Sequence, residues 1–386
     1  MSDTKRRAIA TVILSAIAVV LAFSLDIESV NKLGKYLALA ILAVSLDLLW
    51  GYTGMLCLCQ SLFFALGGYA IGMYLAHHGG PEGIIDASGW KLPACLYVVY
   101  PYAVGEVQSD ATVPWFWKPF YSLPAAVGLG LLIPGIVALV IGYFVFKSRV
   151  RGVFFAILTQ AFTLAAWLVF CLNNMKLCGT NGLTRFENIA GYDLFHPNVK
   201  LCLYFISLFS LVGVYWLCYA IVKSRLGRVL IAIRDNENRV RFSGYKPYQF
   251  KVFVFTISAM IAGLGGVLYA PQMGIFTPTN MEVKESILVV IWVAVGGRGS
   301  LSGPILGAIV VNLTYNFLTS KWPESWPFVQ GAMFISVVLI LPDGLINLLR
   351  KWKVLKSKKN GDGPHETPEV EDVVSVNASS NGGATQ

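Results

Sequence analysis

The sequence predicts an all-α integral membrane protein of about ten transmembrane helices, with both termini on the cytoplasmic side. Three observations carry that prediction. Of 386 residues, 56% are apolar and 13% charged. The apolar residues gather into runs of about 18 to 25, long enough at 1.5 Å per residue to cross a hydrocarbon layer of about 30 Å. Basic residues are shared unevenly between the segments that join those runs.

In chain order the spans fall at about 8–25, 33–50, 55–75, 123–146, 152–172, 200–222, 252–272, 285–297, 304–319 and 328–349. Lys5, Arg6 and Arg7 precede the first and hold its start inside. A cleaved signal peptide is the alternative there, though SLDIES offers no small-residue cleavage site. The second span carries one carboxylate away from its ends, Asp47, and the third is rich in glycine. Residues 76–122 then form an outer insertion whose Trp90, Trp115 and Trp117 are expected at the membrane interface. Lys147, Arg149 and Arg151 close the fourth span, and residues 223–251 carry eight further basic residues after the sixth. The eighth span is short and ends at Arg298 in the run GGRGSLSGP, which suggests a broken helix or a turn. Six basic residues follow the tenth span. With the N-terminus inside, 21 of the 30 basic residues lie on inner segments, and the positive-inside rule fixes N-in and C-in. The permease domain so defined is 1–352; residues 353–386, poor in large apolar groups, are expected to be a disordered cytoplasmic tail.

This organisation excludes a soluble enzyme, a nucleic-acid binder and a secreted disulfide scaffold, despite a net charge of +9. No phosphate-cradling loop ending in Gly-Lys-Ser/Thr occurs, so the chain does not hydrolyse nucleotide itself. Neither a metal-ligand cluster nor a cofactor motif is present. The seven cysteines have no metal spacing and read mainly as helix-packing residues, with a Cys171–Cys178 bridge left open.

The strongest local signal is Lys223 to Lys246, too polar to span and too patterned to be a linker. Leu226, Leu230 and Ile233 recur on one helical face, and Asp235 with Arg239 and Glu237 with Arg241 are spaced as i,i+4 pairs. Two readings stand: a basic helix resting on anionic lipid, or a docking helix for a separate motor protein, which the mixed signs favour.

The runs SRLGRVLIAIRDNENRVRFSGY, SAMIAGLGGVLYAPQMG, IWVAVGGRGSLSGPILGAIVVN and FFALGGYAIGMY resemble the permeases of branched-chain amino acid and urea ABC importers over nearly all of 30–350. Within that family RGVFFAILTQAFTLAAWLVF, GTNGLT and LDLLWGYTG are most similar to the urea permease. The resemblance implies a bacterial inner-membrane subunit working with a second related permease, two cytoplasmic ATPases and an extracytoplasmic binding protein that delivers urea. It makes 223–246 the ATPase-coupling segment, with Gly227, Arg228, Arg234, Asp235, Glu237 and Arg239 as its contacts. The chain departs from the family at Cys57 to Ser61, where CLCQS replaces SLGHG, and its outer insertion is long.

Urea offers four N–H donors and one carbonyl acceptor, so a pathway for it favours carboxylates, amides and hydroxyls. Asp47, Gln60, Thr159, Gln160, Thr163 and Asn312 have that chemistry, although Thr and Gln within spans also serve as interhelical glue. Close helix packing accounts equally for most of the glycines. A short echo between Trp50–Leu56 and Trp292–Leu301 admits an internal duplication. The rival functions are a branched-chain amino acid permease, an ATP-independent channel for small neutral solutes, and an ion-coupled transporter. The last would need more intramembrane charge than Asp47.

Overall fold

Ten helices occupy the described part of the chain: α1 (Asp3–Ser24), α2 (Ile27–Thr53), α3 (Gln60–His77), α4 (Leu123–Lys147), α5 (Val153–Cys171), α6 (Pro197–Lys223), α7 (Arg225–Phe242), α8 (Pro247–Met273), α9 (Val283–Gly296) and α10 (Ser302–Lys321). The structure is a computed structural model and describes residues 3–79, 93, 95, 96, 113–150, 152–322, 324, 328–332, 335 and 344. The tail 353–386 and most of the expected span 328–349 lie outside the described residues, as does most of the outer insertion, Trp90 included.

Six helices (α1, α2, α4, α5, α6 and α8) are long and apolar enough to cross a membrane. Helix α3, bounded by Gln60 and His77, is not among the six, and α9, with 14 residues, extends only about 21 Å. Punctuation follows local chemistry. Pro197 and Pro247 start α6 and α8, where a missing N–H costs nothing. Gly54 ends α2 in the left-handed region at φ 72°, which a residue with a Cβ adopts only with strain.

Helices α2, α3 and α8 form the core. A Cβ added to Gly67 would strike the carbonyl of Gly263, and one added to Gly266 would strike that of Phe64, so α3 and α8 touch backbone to backbone. Around them α1 and α5 stand with most side chains exposed, among them Val12, Phe23, Phe154 and Leu168.

Helix α3 starts at Gln60, five residues later than the apolar run predicts. Residues 55–59 are non-helical because α5 takes the backbone groups of Leu58: its N–H donates to Thr159 Oγ1 (3.1 Å) and its carbonyl accepts from Thr163 Oγ1 (3.1 Å). Gln60 is bonded at Ser45, nine residues before Gly54. The chain therefore turns back by about 13 Å from the end of α2 before α3 begins. From the other end, 274–282 turns back in the same way: Phe276 packs at Gly68 and Tyr69, and α9 starts beside Ser61.

In and around the outer insertion, the open question of a Cys171–Cys178 bridge is answered and one expectation is corrected. Cys178 is bridged to Cys95, not Cys171, with Cα atoms 5.4 Å apart, and Cys171 is free. Trp117 is fully buried rather than interfacial: its Nε1 donates to the Lys176 carbonyl at 3.0 Å and its ring meets His77 edge-on. Trp115 is the exposed member of the pair.

Candidate functional site

Two sets of polar contacts grip α2, one at its C-terminal end and one at Ser45, about two thirds of the way along it. At the first, Ser224 caps α7, accepting from Gly227 N–H, and a Cβ at Gly227 would strike the carbonyl of Val222. Leu230, Ile233 and Val240 are buried, so the predicted apolar face is the inward one.

Helix α7 breaks at Asn236 (φ −157°, ψ 94°), whose Oδ1 accepts from the Arg239 N–H and starts a second short helical stretch. Of the two predicted i,i+4 pairs, Glu237–Arg241 forms at 2.9 Å. Asp235 does not pair with Arg239, because the break lies between them; it binds Arg234 at 3.1 Å.

Arg234 and Glu237 reach back into the protein instead of outward. Arg234 Nη1 donates to the Gly51 carbonyl at 3.0 Å, and its aliphatic stem lies against Gly54. Glu237 Oε2 receives Lys251 Nζ at 2.8 Å, with only 13% and 9% of the two side chains exposed. The first stretch of α7 is thus tied to α2 and the second to α8. Arg228, Asp235 and Arg239 remain exposed, as does Phe242 at 91%.

One turn further into α2, buried Asp47 accepts the Gly299 N–H at 2.7 Å, while its Oδ2 has no partner among the described residues. A Cβ on Gly51 would stand 2.6 Å from Gly299 N, and Arg298 lies over the Trp50 ring at 5.5 Å. The two Gly-rich segments that echo each other in sequence are therefore in contact, and Asp47 is part of that contact.

At the second grip, Gln60 Nε2 donates to Ser45 Oγ (2.9 Å) and Ser258 Oγ (2.6 Å), and Ser258 donates to the Ser45 carbonyl (2.6 Å). This joins α2, α3 and α8. Beside it Ser61 and Ser286 share a hydrogen bond of 2.5 Å, where the N-terminal ends of α3 and α9 meet. Gln60, Thr159 and Thr163 thus bond other elements, as interhelical glue would. Gln160 sits apart from them, exposed on α5.

A cavity of about 300 Å³ lies between α2, α3, α8, α9 and α10, with Ser61, Asn280, Lys284, Glu285, Asn312 and Trp292 on its wall. Asn312 Nδ2 donates to the Ala308 carbonyl. Of the six predicted pathway residues, only Asn312 lines this cavity. Sequence reasoning passed over Ser45, Ser61, Ser258 and Ser286, because isolated serines in apolar runs carry no pattern. It counted Lys251 only as one of the inner basic residues, because a lysine at the head of a span ordinarily reaches out to the interface. No group of three or more metal-binding side chains occurs among the described residues.

Residues 29–338 match the family described as branched-chain amino acid transport system / permease component. The chain is 25% identical to the high-affinity branched-chain amino acid transport system permease protein LivM of Escherichia coli K12, over 92% of this chain and 78% of that one. LivM of Salmonella typhimurium LT2 is also 25% identical, over 89% and 76%. The ribose import permease protein RbsC of Haemophilus influenzae is 21% identical over 59% and 69%. No solved structure matches the chain.

Proposed function

Because the chain belongs to the branched-chain amino acid transport system permease family, and so is a multi-pass permease subunit of an ABC-type transporter, we propose that it is one half of a heterodimeric pore in a bacterial inner-membrane importer. In this reading α7 faces the cytoplasm and is the element that ATPase subunits move. The observation that carries it is the double tie of α7: Arg234 to the Gly51 carbonyl and Glu237 to Lys251. A push on α7 reaches α2 through one tie and α8 through the other, and both helices bond Gln60 at the start of α3, through Ser45 and Ser258. Packed helices pass such a push on as a rigid-body shift. The ATPases would meet Arg228, Asp235, Arg239 and Phe242; Arg234 and Glu237 act as positioning residues behind that surface, with Gly227 permitting the turn into it.

For the solute we propose urea or a short-chain amide, delivered by an extracytoplasmic binding protein. Support comes from the motifs at Leu46–Gly54, Arg151–Phe170 and Gly179–Thr184, and from the uncharged donors and acceptors Ser61, Asn280 and Asn312 around the cavity. Names of relatives at 21–25% identity do not fix the solute, since they include importers of both amino acids and ribose. A second reading, a branched-chain amino acid, is favoured by the relatives matched over most of their length. Lys284 and Glu285 also support it, standing beside Leu39, Leu42 and Leu288 in one cavity, where a zwitterion with an apolar side chain would find both signs of charge.

Vesicles holding this chain, its partner permease, the ATPases and the binding protein should accumulate solute only with ATP. Equilibration of solute by this chain alone would make it a channel. Competition among urea, acetamide and leucine for uptake then decides the solute: urea and acetamide compete in the first reading, leucine in the second.

A further inference from the structure

The sequence departs from the resembled family most sharply at Cys57 and Cys59, and neither thiol has a part in coupling or in the cavity wall. Both side chains are fully buried. Their sulfurs stand 3.1 Å apart, and the Cys59 N–H points at Cys57 Sγ at 3.4 Å. Neither is paired in a disulfide. The stretch is non-helical, and the residue between them, Leu58, is held through both of its backbone groups by Thr159 and Thr163. Cys59 is the N-cap of α3, and its side chain makes no capping hydrogen bond there. Met55, also buried, adds a thioether to the same short stretch. Ser61, two residues beyond Cys59, lines the cavity.

We propose that Cys57 and Cys59 form a site for a soft monovalent d10 cation, Cu(I) or Ag(I), held between two thiolates. Thiolate and thioether donors select such ions over hard cations, which seek oxygen ligands. Binding converts M⁺ and two R–SH groups into [RS–M–SR]⁻ and two protons, with no electron transferred. The sulfurs draw apart from 3.1 Å to admit the ion, through side-chain rotation in a segment free of helical constraint. The single negative charge that results sits at the start of α3. A bridged pair fixes the link between α2 and α3, so the ion stops transport.

The test titrates Cu(I), buffered by a colorimetric Cu(I) chelator under reducing conditions, into the purified permease complex. One Cu(I) per chain should be withdrawn from the chelator, with release of two protons. Cys57→Ser and Cys59→Ser should each weaken binding at least tenfold, whereas Cys202→Ser, at an exposed thiol, should leave it unchanged. X-ray absorption on the unaltered complex should report sulfur ligands alone, which keeps the test decisive even if the serine variants do not fold. Retention of Cu(I) by both serine variants, its loss in Cys202→Ser, or nitrogen ligands in the absorption spectrum would overturn the proposal. So would a Cys57–Cys59 disulfide in place of the bound ion.

Discussion

The two grips on α2 use opposite chemistry. Its C-terminal end is held to α7 by one charged side chain, Arg234, and α7 is held in turn to α8 by the Glu237–Lys251 ion pair. At Ser45, α2 is held to α3 and α8 by an amide and two hydroxyls. The difference teaches what each place can tolerate. An uncharged network adds little energy per bond but costs little when the helices shift. A mostly buried ion pair resists separation, because parting it strands a charge away from water. The α7–α8 contact therefore suits an element that must move as one piece with α8, and the Gln60 network suits a place where helices slide.

The largest effect should come from stranding a charge. Glu237→Gln leaves Lys251 without its counter-ion and is expected to lower stability by about 3 kcal/mol, at the low end for a broken buried pair because some solvent reaches both groups. Thermal unfolding in detergent measures this, and adding Lys251→Met should recover most of it. Failure of the double variant to recover would show that Arg241, and not Lys251, is the partner that matters.

Next in size is crowding where α3 meets α8. Gly67→Leu forces apart α3 and α8, which touch at Gly263, and overpacking of this kind costs about 1–3 kcal/mol. The expected readout is a lower unfolding temperature together with lost transport. Smaller again, Thr159→Val and Thr163→Val each remove one bond to Leu58, at about 0.6 kcal/mol apiece for an interhelical hydrogen bond. The double variant should fold, yet proteolysis near residues 55–59 should quicken. Equal protease resistance would mean that α5 does not hold that segment.

The smallest effect on stability and the clearest on function belongs to Arg234→Ala. Its side chain is 42% exposed, so the unfolding temperature should move little. Solute accumulation per ATP hydrolysed should fall, because α7 loses its tie to Gly51 while the ATPases still turn over. A variant with wild-type coupling would remove the α2 branch of the relay.

Much of the helical layout was legible because lipid-facing helices need long apolar runs, and α7 was legible because its buried and exposed faces alternate at helical spacing. The breaks were harder to read. Residues 55–59 look as apolar as a span, and only the hydroxyls of Thr159 and Thr163, a hundred residues away, explain why they do not form one. The Asn236 break lies in the run Arg234–Asn238, where the i,i+4 charge spacing reads as continuous helix although Asp and Asn favour caps, and it cancelled the expected Asp235–Arg239 pair. The Cys95 partner of Cys178 is 83 residues distant, so no local spacing pointed to the pair. At the site, the residue types were legible but their roles were not. A polar group inside a span signals the need for a partner, and sequence does not say whether that partner is a neighbouring helix or a passing solute.

The central claim is that motor subunits act on α7 from the cytoplasm. A photo-crosslinking residue placed at exposed Asp235 in the assembled transporter tests it most directly. The account predicts a crosslink to an ATPase subunit that weakens when ATP hydrolysis is blocked in one state of the cycle. Labelling of the same position by a membrane-impermeant reagent added to intact cells, with no crosslink to an ATPase, would contradict it.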